Sequence, residues 1–273
     1  MIAPIIGAEE IPSGAVPLDV RWTLDGGTDR AGYVAGHLPG ARFVDFDQVC
    51  VGPGPPVAGR HPLPTPERFA EGLGAAGVAD EATTVVYDAG PALAAARLVW
   101  MLRTIGHDAA LLDGGLTAWP GPLERGDPPV APVTRRAVPW PADAMADADT
   151  VAAVALADHH CVFDSRTLDR YRGAPHPLDT RPGHVPGAVS LPYAGNLGAD
   201  GRFLDPLELR LRFRAAGADD ESIYYCGSGV SACINALAAE HAGIGRGRIY
   251  VGSWSGWTAD PDRAASTADD GTA

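Results

Sequence analysis

The sequence predicts an α/β protein of two tandem domains, each a parallel sheet flanked by helices. Three observations carry this expectation. One pattern is written twice along the 273 residues, its strands are short and apolar, and helix-start signatures stand between those strands. Short apolar strands that alternate with helices belong to parallel sheets covered on both faces, because a half-exposed strand would alternate apolar with polar residues instead.

The first copy opens with Leu18-Asp19-Val20-Arg21, a short strand ending in an acid and an arginine, and continues to the turn Gly36-His37-Leu38-Pro39-Gly40-Ala41. Thr65 before Pro66 and Glu67 marks a helix start, since a threonine oxygen caps the first N–H groups and proline fits the first turn. The buried strand Thr84–Asp88 follows, then a glycine-containing loop and an apolar helix, then Leu111–Gly115 with Trp119. The second copy repeats the order with Val162-Phe163-Asp164-Ser165-Arg166, the turn Gly183-His184-Val185-Pro186-Gly187-Ala188, and a helix start at Asp205-Pro206. It closes with Ile223-Tyr224-Tyr225-Cys226 and Ile249–Ser253 with Trp257. Cys226 stands 138 positions after Asp88, and Trp257 stands 138 after Trp119. Such recurrence argues for duplicated domains rather than a short-period solenoid.

Pro120 to Pro141, with Pro-Gly-Pro and Asp-Pro-Pro, offers no regular structure and reads as a connection. The expected layout is residues 1–125 for the first domain, 126–141 for the linker, 142–262 for the second domain and 263–273 for a flexible, frayed tail.

Composition narrows the function classes. With 46% hydrophobic residues the chain folds, and its formal charge of −13 argues against nucleic acid or an anionic membrane as partner. No apolar run reaches the roughly 18 to 20 residues of a membrane helix. Met1–Gly7 lacks the basic start and apolar core of a signal peptide, so a cytoplasmic address is expected. The four cysteines are too scattered for a disulfide scaffold, and no CxxC pair points to a metal.

The chemistry concentrates at Cys226-Gly227-Ser228-Gly229-Val230-Ser231-Ala232, with a helix expected from near Val230. A thiol there faces the positive end of a helix and a ring of loop N–H groups, and both favour thiolate. A free cysteine titrates near about 8.5, and such surroundings lower it to roughly 3.5 to 7.5. Cys50, Cys161 and Cys233 have no such setting. The first copy has Asp88 at the matching strand end, and an aspartate cannot carry a transferable sulfur. One site is expected, in the second copy.

The duplicated halves, the Cys226 loop and Gly252-Ser253-Trp254-Ser255-Gly256-Trp257 resemble the tandem-domain rhodanese and 3-mercaptopyruvate sulfurtransferase family, from about Val16 to Trp257. The resemblance implies two rhodanese-like domains, the first inactive, and a cofactor-free sulfurtransferase whose Cys226 carries sulfur as a persulfide. It would pass from a small-molecule donor to a thiol or cyanide acceptor, thioredoxin among them. A loop without basic residues is similar to the mercaptopyruvate branch. Thiosulfate sulfurtransferase is the alternative enzyme, and a sulfur-carrier or redox-sensing module the non-enzymatic one. A phosphatase or arsenate reductase of related fold would need an arginine where Ala232 stands.

In that branch a serine, a histidine and an aspartate move a proton, the last two from the first domain. Ser228, His61 in Arg60-His61-Pro62-Leu63-Pro64 and Asp47 in Phe46-Asp47-Gln48 resemble them. Arg170 in Asp169-Arg170-Tyr171-Arg172-Gly173 resembles the family's substrate-binding arginine, with Arg181 as a second, and Gly227, Gly229, Val230 and Ser231 complete the binding loop. His37 and His184 recur in both halves and are expected to serve the fold.

Overall fold

The computed structural model describes residues 1–157 and 161–267. It divides into two compact units, Met1–Gly52 with Leu63–Pro141, and Pro53–Pro62 with Ala142–Ala273. Among the described residues no helix is long and apolar enough to cross a membrane.

The first unit is built on a five-stranded sheet in the order Ile5–Ile6, Ala109–Leu112, Thr84–Tyr87, Val16–Asp19, Arg42–Phe43. All its pairings are parallel. Thr84–Tyr87 lies in the middle with every residue buried, which is why it reads as a continuous apolar run. The helix Leu93–Thr104 follows it, and Ala94–Leu102 are fully buried. The helix Pro66–Ala75 starts where the sequence places it, with the Thr65 hydroxyl accepting the Arg68 N–H at 3.2 Å.

The second unit has four parallel strands in the order Arg248–Ile249, Ile223–Tyr225, Val162–Asp164, Val189–Ser190. Asp205 caps the helix Pro206–Ala215 through the N–H groups of Leu207 and Glu208 at 2.8 and 2.9 Å, and the Glu208 carboxylate accepts the Asp205 N–H in return. Trp254, Trp257, Tyr225 and Ile223 pack together in the core on one face of this sheet.

The acid-arginine signature closes the same joint in each unit. Arg21 grips Asp19 at 2.7 Å and donates to the Gly36 carbonyl, while Arg166 grips Asp164 and donates to the Gly183 carbonyl at 2.7 Å. The next residue is the turn histidine, stacked on a tyrosine in both cases: His37 on Tyr33 at 4.1 Å, and His184 on Tyr171 at 3.6 Å. Each histidine Nδ1 also meets that tyrosine's carbonyl. These duplicated histidines tie the turn to the tyrosine that precedes it in each unit.

Three features differ from the expected layout. Residues 126–141 contain no helix or strand, but they are bonded along the first unit: Val133 N–H to Gly74, Arg135 to Val78 and Ala79, and the Trp140 indole to Pro64 at 2.8 Å. Pro53–Pro62, inside the first half of the sequence, groups with the second unit. Its Gly59 has φ +83° and a Cβ there would run into the Gly252 carbonyl, while the Arg60 N–H donates to the Ser255 hydroxyl at 3.0 Å. Only glycine combines that φ with so close a backbone approach. The tail, expected to fray from residue 263, is pinned at its start: Ala264 accepts the Trp257 indole N–H at 2.7 Å, and Ser266 pairs with His184 through both backbone groups. Small size and polarity conceal these bonds because they are made by backbone. Residues 268–273 lie outside the described residues.

Candidate active site

Cys226 follows the strand Ile223–Tyr225 and is 2% exposed. The turn at Gly252–Trp257 fixes its backbone: Cys226 N–H donates to the Ser253 hydroxyl at 3.1 Å, and the Cys226 carbonyl accepts from the Trp254 N–H at 2.9 Å. The neighbouring Gly227 carbonyl accepts from the Ser255 N–H at 3.0 Å. The tryptophan turn therefore splints the loop.

Beyond Gly227 the loop curls over the sulfur. Gly229, at φ +78°, turns its N–H to Sγ at 3.2 Å. Ser228 and Ala232 add N–H groups, and Ser231 adds its hydroxyl. The loop runs on to Ser231, so the helix starts at Ala232 rather than near Val230. Burial alone pushes the Cys226 thiol up, but these converging donors outweigh it and hold the thiol below its ordinary range. A buried thiolate solvated by fixed donors is a ready nucleophile.

An arginine cluster stands beside it. Arg170 forms a two-point contact with Asp179, Nε at 2.8 Å and Nη2 at 2.6 Å. Asp179 also meets Arg166 at 3.4 Å. Burial pushes the Asp179 carboxyl up, yet the Arg170 hydrogen bonds and the charges of Arg166 and Arg170 hold it below the usual carboxylate range. Arg60 donates through Nη1 to the Leu178 carbonyl at 2.7 Å. The Arg170 and Arg60 Nη2 atoms both reach the open face of Gly227: a Cβ there would lie 3.0 and 3.1 Å from them. The glycine leaves room for two guanidinium groups.

The model of the rhodanese-like domain matches residues 8–121 and again 145–260. The chain belongs to the rhodanese-like domain family. A probable 3-mercaptopyruvate sulfurtransferase of Pseudomonas aeruginosa is 40% identical over 262 residues, 92% of each chain. A putative thiosulfate sulfurtransferase of Mycobacterium tuberculosis is 36% identical over 255 residues, 90% of this chain and 88% of that one. Among solved structures, 3-mercaptopyruvate sulfurtransferase from Leishmania major superposes with a TM-score of 0.81 at 29% identity, covering 93% of this chain and 73% of that one.

The second rhodanese-like unit brings together Cys226, Gly227, Ser228, Gly229, Val230, Ser231 and Arg170. Val230 and Ser228 are 5% and 6% exposed. His61 is half-buried in Pro53–Pro62 and so belongs to the same unit as Ser228. Asp47 lies in the first rhodanese-like unit, exposed, with its carboxylate accepting from the Trp22 indole at 2.9 Å and the Thr28 hydroxyl at 3.2 Å. Arg181 donates through Nη2 to the Arg263 carbonyl at 2.8 Å, while its own carbonyl accepts from the Trp254 indole at 3.0 Å. Arg60 is the residue that sequence reasoning missed. The available signal was its place directly before His61.

Proposed function

We propose that the protein is a 3-mercaptopyruvate sulfurtransferase working through a Cys226 persulfide. The observation that carries this reading is the Cys226 thiol, held below its ordinary pKa by four loop donors, beside a half-buried arginine pair at Gly227. The thiolate attacks the donor sulfur, the C–S bond breaks, and its electron pair passes to the pyruvate enolate, which takes up a proton. The persulfide outer sulfur is then attacked by a thiol or cyanide, and Cys226 leaves as thiolate. Thioredoxin is a fitting thiol acceptor, and the cytoplasm, where thiols stay reduced, a fitting address.

Arg170 binds the donor carboxylate, and the Asp179 contact sets its fork in place. Ser228 and His61 deliver the proton to the enolate carbon. Thiosulfate is the second donor to consider, because one close relative carries that name. Its leaving group, sulfite, is already a stable anion and needs no proton.

Intact mass after mixing with each donor tests the reading: one sulfur, about 32 Da, is expected on Cys226 from 3-mercaptopyruvate. Ser228→Ala and His61→Ala should lower kcat with 3-mercaptopyruvate by about 10² and change thiosulfate turnover far less. Equal losses with both donors would end the relay, and a preference of the unaltered protein for thiosulfate would replace the donor.

A further inference from the structure

We propose that Arg60 is a second carboxylate-binding residue, closing with Arg170 on the carboxylate of a 2-oxo acid donor. The inference rests on the reading above and names which side chains set its donor class. The sequence led us to expect a second arginine from Arg181, but that guanidinium is engaged by the Arg263 carbonyl. The second guanidinium at Gly227 comes from residue 60 instead.

The three arginines of the site differ in what holds them. Arg166 faces Asp164 and Asp179, and Arg170 shares Asp179. Among the described residues Arg60 has no carboxylate partner, and its buried Nε makes no hydrogen bond. Three guanidinium groups face two carboxylates and the Cys226 thiolate; burial lowers the Arg60 pKa, and the charges of Cys226 and Asp179 are what support its positive form. Two like charges that reach one point in a partly buried site are costly unless an anion arrives to join them. Unlike a single fork, a pair of arginines can grip both oxygens of a carboxylate and still direct the adjoining carbonyl.

Arg60 is also held in advance. Its backbone N–H is fixed by Ser255, on the turn that splints Cys226, and Nη1 is fixed by Leu178, which leaves Nη2 toward Gly227. A guanidinium already ordered loses little conformational freedom when the ligand binds. The carboxylate then lies over Gly227, one residue from the thiol, where a sulfur two carbons away can meet Sγ.

The test uses pyruvate, which has the donor's 2-oxo carboxylate and no sulfur. Pyruvate should slow alkylation of Cys226 by iodoacetamide, and pyruvamide, of the same shape without the charge, should not. Arg60→Met should raise the half-protecting pyruvate concentration about ten- to a hundredfold, the scale of a lost charge-assisted hydrogen bond, with Arg60→Lys in between. Each variant is referred to its own unprotected rate, so any change in thiolate content cancels. The KM for 3-mercaptopyruvate should rise by a similar factor, with kcat changed less. Unaltered protection in Arg60→Met, equal protection by pyruvamide, or no protection of the unaltered protein would each overturn the proposal. Arg60-dependent protection without turnover of 3-mercaptopyruvate would keep the clamp and remove the donor assignment. Turnover indifferent to Arg60→Met would remove the clamp alone.

Discussion

In the first unit the strand Thr84–Tyr87 delivers Asp88 to a loop before the helix Leu93–Thr104, and in the second Ile223–Tyr225 delivers Cys226 to a loop before Ala232–His241. Asp88 accepts the N–H groups of Gly90, Ala92 and Ala95 at 3.0, 3.2 and 3.3 Å. Cys226 accepts from Gly229 at 3.2 Å and from Ser228, Ser231 and Ala232. Both loops therefore form a nest of donors suited to an anion. In the first, the chain's own carboxylate fills it, and burial pushes that carboxyl up despite its three partners. In the second, the occupant is a thiol held below its ordinary pKa, with Arg60 and Arg170 at the neighbouring Gly227. The donor nest is a property of the repeated strand-loop-helix, and the residue at the strand end decides whether it serves packing or chemistry.

The sharpest way to break this comparison is to remove the nucleophile. Cys226→Ser keeps the size and the hydrogen bonding of the loop but removes the polarisable sulfur, so transfer should fall below a few per cent of the unaltered rate while thermal unfolding is unchanged. Cys233→Ser, whose thiol donates to the Gly229 carbonyl, is the matched control and should stay active. Transfer by Cys226→Ser would place the chemistry elsewhere.

The opposite result is expected in the first unit. Asp88→Ala leaves three N–H groups without their acceptor, a loss of about 1 to 3 kcal/mol in denaturant unfolding, with sulfur transfer intact. Loss of transfer in proportion to stability would show that the two loops do not divide their roles.

A smaller effect sharpens the role of the donors. The Cys226 thiol is held below its ordinary value, so its alkylation rate should rise to a plateau at a lower pH than that of a free cysteine, about 8.5. Ser231→Ala removes a hydrogen bond to the charged form. The midpoint should therefore move up, toward the free value, and reactivity at neutral pH should drop severalfold. An unmoved midpoint would assign the shift to the backbone N–H groups alone.

Much of the architecture is legible in the chain because its signals are local. Apolar runs such as Thr84–Tyr87 announce buried parallel strands, Thr65-Pro66 and Asp205-Pro206 announce helix starts, and a single cysteine before Gly-Ser-Gly announces the donor nest. Each depends on neighbours within a few residues, so backbone chemistry reveals it without any knowledge of the packing. Duplication then supplied its own control, since Asp88 stands where a second cysteine would be.

What the sequence determined by itself is the pair of parallel-sheet domains and the one cysteine at a strand end before a glycine loop. Tertiary structure alone decided that Pro53–Pro62 joins the second unit, that Ser266 pairs with His184, and that Arg60 rather than Arg181 turns its guanidinium to Gly227. Arg60 is positioned by Leu178 and Ser255, 118 and 195 residues away along the chain. An arginine's reach is set by where its backbone is anchored and which carbonyl holds its far end. No periodicity or spacing records either, because both arise only when distant segments pack.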